Sequence, residues 1–97
     1  MWFPDMAKIF WTKTAAGDLI KARDYISKGR LYRPHDALTR IEGTLDAVTR
    51  EPSLGKPMRV KSIREVRVLK TPFIIAYREM PEGVEVLSLI HKSKMWE

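Results

Sequence analysis

The chain contains no cysteine, which removes disulfides, thiolate metal sites and a cysteine nucleophile at once. Histidine is scarce. His35 and His91 are the two present, and neither stands at metal-ligand spacing from a carboxylate or from the other, so no metal or other cofactor is expected. There is no Gly-x-x-x-x-Gly-Lys loop to cradle phosphates, and no serine sits in a nucleophile elbow. No apolar run approaches the roughly 20 residues that a membrane helix needs. The opening Met1-Trp2-Phe3-Pro4-Asp5-Met6 lacks the basic region and apolar stretch of an export signal. A cytoplasmic location without a membrane partner is the expectation.

What is present is a single domain's worth of chain. Ninety-seven residues with a 44% hydrophobic fraction suit one core, spanning 1–97. Met6 followed by Ala7-Lys8-Ile9-Phe10-Trp11 reads as a fresh beginning, so residues 1–5 read as a dispensable extension. Eighteen Lys and Arg against twelve Asp and Glu leave a formal charge of +6. Such an excess favours an acidic partner: nucleic acid, an acidic protein segment or an anionic surface. The charge is uneven. Residues 1–52 hold nine cations and seven acids, residues 53–97 nine and five. Lys56, Arg59, Lys61, Arg64, Arg67 and Lys70 are opposed only by Glu65 in their stretch. Strand alternation puts Arg64 and Lys70 on one face and Arg67 on the other. The tail His91-Lys92-Ser93-Lys94-Met95-Trp96-Glu97 adds cations and an aromatic ring, the pair of groups an RNA-contacting surface uses for phosphates and stacking.

The hydrophobic period changes along the chain. Ala7 to Thr12 is short, apolar and aromatic, and predicts an opening strand. Thr14 is placed to cap a helix running to about Lys28, with Ala15, Leu19, Ala22 and Ile26 as its apolar stripe. Gly17 weakens its first turn and Gly29 closes it. Pro34 suits the first turn of a second helix, whose stripe is Leu38, Ile41, Leu45 and Val48. The run Glu51-Pro52-Ser53-Leu54-Gly55-Lys56-Pro57 ends that helix. Asp18, Asp24, Asp36 and Asp46 read as solvated helix faces and helix-start charges.

Beyond this point the period is two. Arg64 to Lys70 alternates as a half-buried strand. Thr71-Pro72 turns the chain, and Phe73 to Glu79 and Val84 to Ile90 are apolar on both faces, as inner strands are. Met80-Pro81-Glu82-Gly83 joins them as a hairpin, and Met58 to Val60 adds a short edge piece. The expected fold class is α+β, a helical hairpin over one face of a mostly antiparallel sheet. Leu19, Ile26, Leu38, Leu45, Val66, Ile75 and Val86 are its expected shared core. Tyr77 is expected to pack in the sheet with its hydroxyl at the edge, and Gly55 to serve a turn.

The landmarks Trp11, Asp18-Leu19, Tyr25-Ile26, Pro52-Ser53-Leu54-Gly55, Arg64-Glu65, Tyr77-Arg78, His91 and Trp96 occur in an order that resembles the RelE/ParE toxins, often called plasmid stabilisation proteins. The resemblance covers about residues 7 to 97. It implies the toxin of a type II toxin–antitoxin system, paired with a cognate antitoxin in a hetero-oligomer. ParE-like members poison DNA gyrase; RelE-like members cut messenger RNA on the ribosome. RNA cleavage needs an activated 2′-hydroxyl and cations for the phosphate. Glu65 and Ile74 stand where RelE-type cutters carry cations, and Ser93 or Lys94 where an arginine is expected. The balance tilts to a ParE-like gyrase inhibitor. The alternatives are a ribosome-dependent endoribonuclease, with Arg64 and His91 as its catalytic pair, or a degenerate member that binds antitoxin without toxicity. Arg67, Arg78, Lys92, Lys94 and Trp96 are the candidate target- or nucleic-acid-binding residues.

Overall fold

The computed structural model describes residues 8–28 and 34–92. Strand β1 (Lys8–Trp11) leads into helix α1 (Lys13–Ser27) through Thr12. Thr12 has extended backbone, and its Oγ1 accepts the Ala15 N–H at 3.0 Å, which makes it the N-cap. Thr14, the expected cap, lies exposed inside the first turn. The cap moved because strand and helix share one joint. The same Thr12 hydroxyl donates to the Leu87 carbonyl at 3.1 Å, so a single side chain ends the strand, starts the helix and ties both to the sheet.

Both stripes face inward as their spacing predicts. Ala15, Ala22 and Ile26 are buried on α1, and Ile41, Leu45 and Val48 on α2 (Pro34–Arg50). Leu19 and Leu38 pack against them, half-buried. Pro34 is the first residue of α2, where a missing N–H costs nothing. Gly29 lies outside the described residues.

After a 3-10 turn (Pro52–Leu54) come β2 (Lys56–Pro57), β3 (Ile63–Arg67), β4 (Phe73–Met80) and β5 (Gly83–His91). The sheet order is β1-β5-β4-β3-β2, with β1 parallel to β5 and every other pair antiparallel. The helices cover one face, against Phe73, Ile75, Tyr77, Val84, Val86 and Leu89. This is the α+β architecture expected, and all seven expected core residues belong to the core or pack on it. No helix is long and apolar enough to cross a membrane among the described residues.

Two strand boundaries differ from the sequence reading. The edge piece is Lys56–Pro57 rather than Met58–Val60, because Met58 N–H donates to Ile63 O at 2.9 Å and folds residues 58–62 into a loop. The strand expected over Arg64–Lys70 ends at Arg67. There Val68 accepts from Thr71, whose N–H and Oγ1 both reach its carbonyl, at 3.2 and 2.7 Å, and Lys70 turns the chain at φ 62°. The hairpin between β4 and β5 pairs Met80 with Gly83 across Pro81-Glu82. Gly83 is fixed by its neighbour: a Cβ there would lie 1.8 Å from the Lys8 carbonyl oxygen, so only glycine lets β1 dock beside β5.

Candidate functional site

The segment that follows α2 is held down by the sheet. Tyr77 is fully buried, and its hydroxyl accepts the Gly55 N–H at 2.8 Å while donating to the Pro52 carbonyl at 2.6 Å. Burial raises its pKa above the ordinary 10.0, with the Gly55 bond and the Arg64 charge opposing; the hydroxyl therefore keeps its proton and stays a donor. Arg64 Nη1 donates to the Gly55 carbonyl at 2.7 Å and, more weakly, to Ser53 at 3.4 Å. The hydroxyl expected at the sheet edge is thus inside, clamping the chain 22 and 25 residues upstream. Gly55 has φ −73° and ψ 159°, a conformation open to any residue. It is glycine for space, since a Cβ would sit 2.5 Å from the Tyr77 hydroxyl oxygen.

This clamp forms one wall of a groove of about 950 Å³ beside β3. Leu54 and Lys56 come from the clamped segment, Arg40, Gly43 and Ala47 from α2, and Val66, Arg67 and Leu69 from the β3 side. Leu54 is 49% and Leu69 72% exposed, an apolar lining open to water. Val68 N–H bonds Phe73 O on β4. Antiparallel alternation then directs the Arg67 N–H and carbonyl away from β4, to a side where β2 has ended at Lys56 opposite Glu65. Among the described residues the groove therefore runs along an open strand edge, with Arg40, Lys56 and Arg67 around it and Glu65 as the acid among its lining. An edge of this kind is a template for an added strand.

Beyond the end of β1 the opposite flank of β5 is closed by α1. Thr12 N–H donates to Val86 O at 3.2 Å, and Asp18 Oδ2 accepts the Leu89 N–H at 3.1 Å. Between them β5 bulges: Ala76 pairs with Ser88 but Tyr77 with Val86, leaving Leu87 extra, its carbonyl met by Thr12. Asp18 is 8% exposed, so its reading as a solvated charge is overturned. The signal was present, because Asp18 lies three residues after Ala15 and four before Ala22, on the apolar stripe. Asp24 and Asp46 do sit on exposed faces, paired to Lys28 and Arg50 at 3.1 and 3.2 Å. Asp18→Ala should lower stability by about 1–3 kcal/mol, the cost of losing a buried acceptor, and Asp18→Asn should recover most of it. Urea denaturation measures both; a loss under about 0.3 kcal/mol for the alanine variant would make the carboxylate a bystander.

The sequence-derived site residues are dispersed. Arg64 is engaged with the turn carbonyls. His91 is 4% exposed on the helix-covered face, with ring centroids 4.8 Å from Tyr25 and 5.5 Å from Phe73, both edge-on. Arg64 pairs with Tyr77, and His91 with Phe73; four residues and two strand spacings separate them, roughly 16 Å. Arg67 is exposed on the groove rim. Arg78 is tied to Glu85 at 2.7 Å on the uncovered face. Lys92 is exposed, its N–H donated to Pro72 O at 2.6 Å. Lys94 and Trp96 lie outside the described residues. Glu65 and Ile74, which replace expected cations, both line the groove. The groove itself was missed as a site, since its walls come from segments that only folding brings together.

Comparison with known proteins covers nearly the whole chain. Residues 9–96 match the family described as ParE toxin of type II toxin-antitoxin system, parDE. A putative toxin, Y4kP, of Sinorhizobium fredii is 34% identical over 89 residues, 92% of each chain. Toxin RelE2 of Caulobacter vibrioides is 26% identical over 90 residues, 93% of this chain and all of that one. A structure of the chromosomal ParDE TA system from P. aeruginosa has a TM-score of 0.72 at 21% identity, covering 90% of this chain and 97% of its own. At that identity the likeness is one of fold.

Proposed function

Because the chain belongs to the ParE toxin family of type II toxin–antitoxin systems, we propose that it inhibits DNA gyrase and is neutralised by a cognate antitoxin in a hetero-oligomer. The observation that carries the choice of gyrase over messenger RNA is the dispersal of Arg64 and His91. A ribonuclease needs a proton-transfer group and a phosphate-stabilising cation at one reacting centre. Here the imidazole packs against two aromatic rings, the backbone positions of the two residues are roughly 16 Å apart, and the guanidinium is engaged by turn carbonyls. The similarity to a solved ParDE system supports an antitoxin partner. The groove suits an antitoxin segment: an extended chain can add to the β3 edge, seat apolar side chains on Leu54, Val66 and Leu69, and meet Arg40, Lys56 and Arg67 with acids. Such a toxin works in the cytoplasm, where gyrase and its DNA are.

Purified toxin is expected to stall gyrase on supercoiled DNA and to leave ribosome-bound messenger intact, with His91→Ala changing gyrase inhibition less than about threefold. Co-expression with the adjacent gene is expected to yield one co-eluting complex. Site-specific messenger cleavage in a translating extract, abolished by His91→Ala, would overturn the gyrase reading. Separate elution of the two proteins at micromolar concentration would remove the antitoxin.

A further inference from the structure

The loop from Met58 to Ser62 belongs neither to the core nor to the groove. All five residues are exposed, with Met58 at 38% and Val60 at 62%. Arg59 and Lys61 alternate with them, and no acid occurs between Lys56 and Arg64. The loop is nevertheless built to one shape. Met58 N–H donates to Ile63 O at 2.9 Å, and Ile63 N–H donates to Val60 O at 3.2 Å. Ser62 is held at φ 75°, a conformation that costs a non-glycine residue free energy and persists only where its surroundings impose it.

A single exposed valine calls for no explanation. Here a fixed backbone, a strained residue, two exposed apolar side chains and two flanking cations coincide in five residues. We infer that this loop is the element by which the toxin contacts its cellular target, and that the contact is an acidic protein surface with an apolar depression. Val60 and Met58 enter the depression and lose their water, while Arg59 and Lys61 meet carboxylates at its rim. Nucleic acid fits less well. Phosphates would satisfy the cations but leave Val60 and Met58 in water, and the loop offers no aromatic ring for a base to stack on.

The loop stands beside the groove without lining it. Lys56 borders the groove and stands two residues before Met58. An antitoxin strand laid along the open edge at Arg67 would stop at Lys56, because β2 occupies the edge opposite Glu65 and Arg64, so the loop and the groove are neighbouring but separate surfaces. The inference rests on the reading of the chain as an active toxin with an antitoxin, and is independent of which protein the toxin strikes.

The test is induction in a bacterium of the native chain and of an Arg59→Glu/Val60→Ser/Lys61→Glu variant. Since all three side chains are exposed, the variant is expected to keep its thermal midpoint within a few degrees and to capture the co-expressed antitoxin. It is expected to raise survival at least about tenfold, as removal of an interface anchor does. Arg59→Gln/Lys61→Gln with Val60 retained is the second variant, should charge reversal disturb the fold, and is expected to relieve toxicity in the same direction. Growth arrest at the native level by a folded variant would overturn the inference, as would a native chain that does not arrest growth. Binding of the native chain to DNA alone, lost in the variant, would overturn it in favour of nucleic acid. Growth arrest that spares gyrase but depends on the loop would remove the gyrase reading and leave the loop assignment standing.

Discussion

Gly55→Ala is expected to cost about 2–5 kcal/mol, while Gly43→Ala, the same change twelve residues earlier, is expected to stabilise the chain by up to about 1 kcal/mol. The added methyl at residue 55 would lie 2.5 Å from the Tyr77 hydroxyl oxygen and 2.9 Å from the Glu65 carbonyl oxygen. Neither can retreat freely, because Tyr77 is fully buried in the central strand and Glu65 is backbone of β3. Relief requires the 52–55 segment to lift, which breaks the bonds from Gly55 to the hydroxyl and from the hydroxyl to Pro52 and strands polar groups in the interior. At residue 43 an added methyl meets nothing within 4 Å, so only the helix preference for alanine acts. Urea denaturation of both variants gives the comparison. A cost below about 0.5 kcal/mol at residue 55 would mean that the clamp is not rigid. Because Leu54 and Lys56 flank Gly55 and line the groove, the same variant should also weaken capture of an antitoxin, through loss of the pre-formed wall.

Leu45→Ala should cost about 2–5 kcal/mol with the fold retained. Leu45 is 6% exposed in the middle of the α2 stripe, between Ile41 and Val48 at 2% and 0%. Truncation removes most of a buried side chain, and the cavity cannot close easily. One side is helix backbone; the other is a sheet fixed by its own ladder and by β1 and α1 at its flank. Thermal and chemical unfolding measure the loss. A value under about half a kcal/mol would place Leu45 at the surface and undo the assignment of the α2 face.

The helical faces were legible because a helix converts spacing into direction: residues three and four apart share a side whatever the partner is. Ala15, Ala22, Ile26, Ile41, Leu45 and Val48 are buried for that reason. Strand alternation did the same for Val66, Ile75 and Val86. Boundaries were less legible. The cap fell at Thr12 rather than Thr14 because its hydroxyl answers to Leu87, 75 residues away, and local sequence holds no trace of that partner. Asp18 was misread for a related reason. Its carboxylate is solvated only if nothing covers it, and here the N–H of Leu89, 71 residues away, points at it.

The candidate site divides along the same line. By itself the sequence determined the fold class, the two helix faces, the strand-rich second half and the excess of cations between Lys56 and Lys70; each follows from period or composition, which are local properties. Tertiary structure alone decided that Arg64 and His91 stand apart, that Tyr77 clamps Pro52 and Gly55, and that α2 and the open edge of β3 enclose a groove. These depend on strand order and register, and a single register slip would send the same side chains to the opposite face.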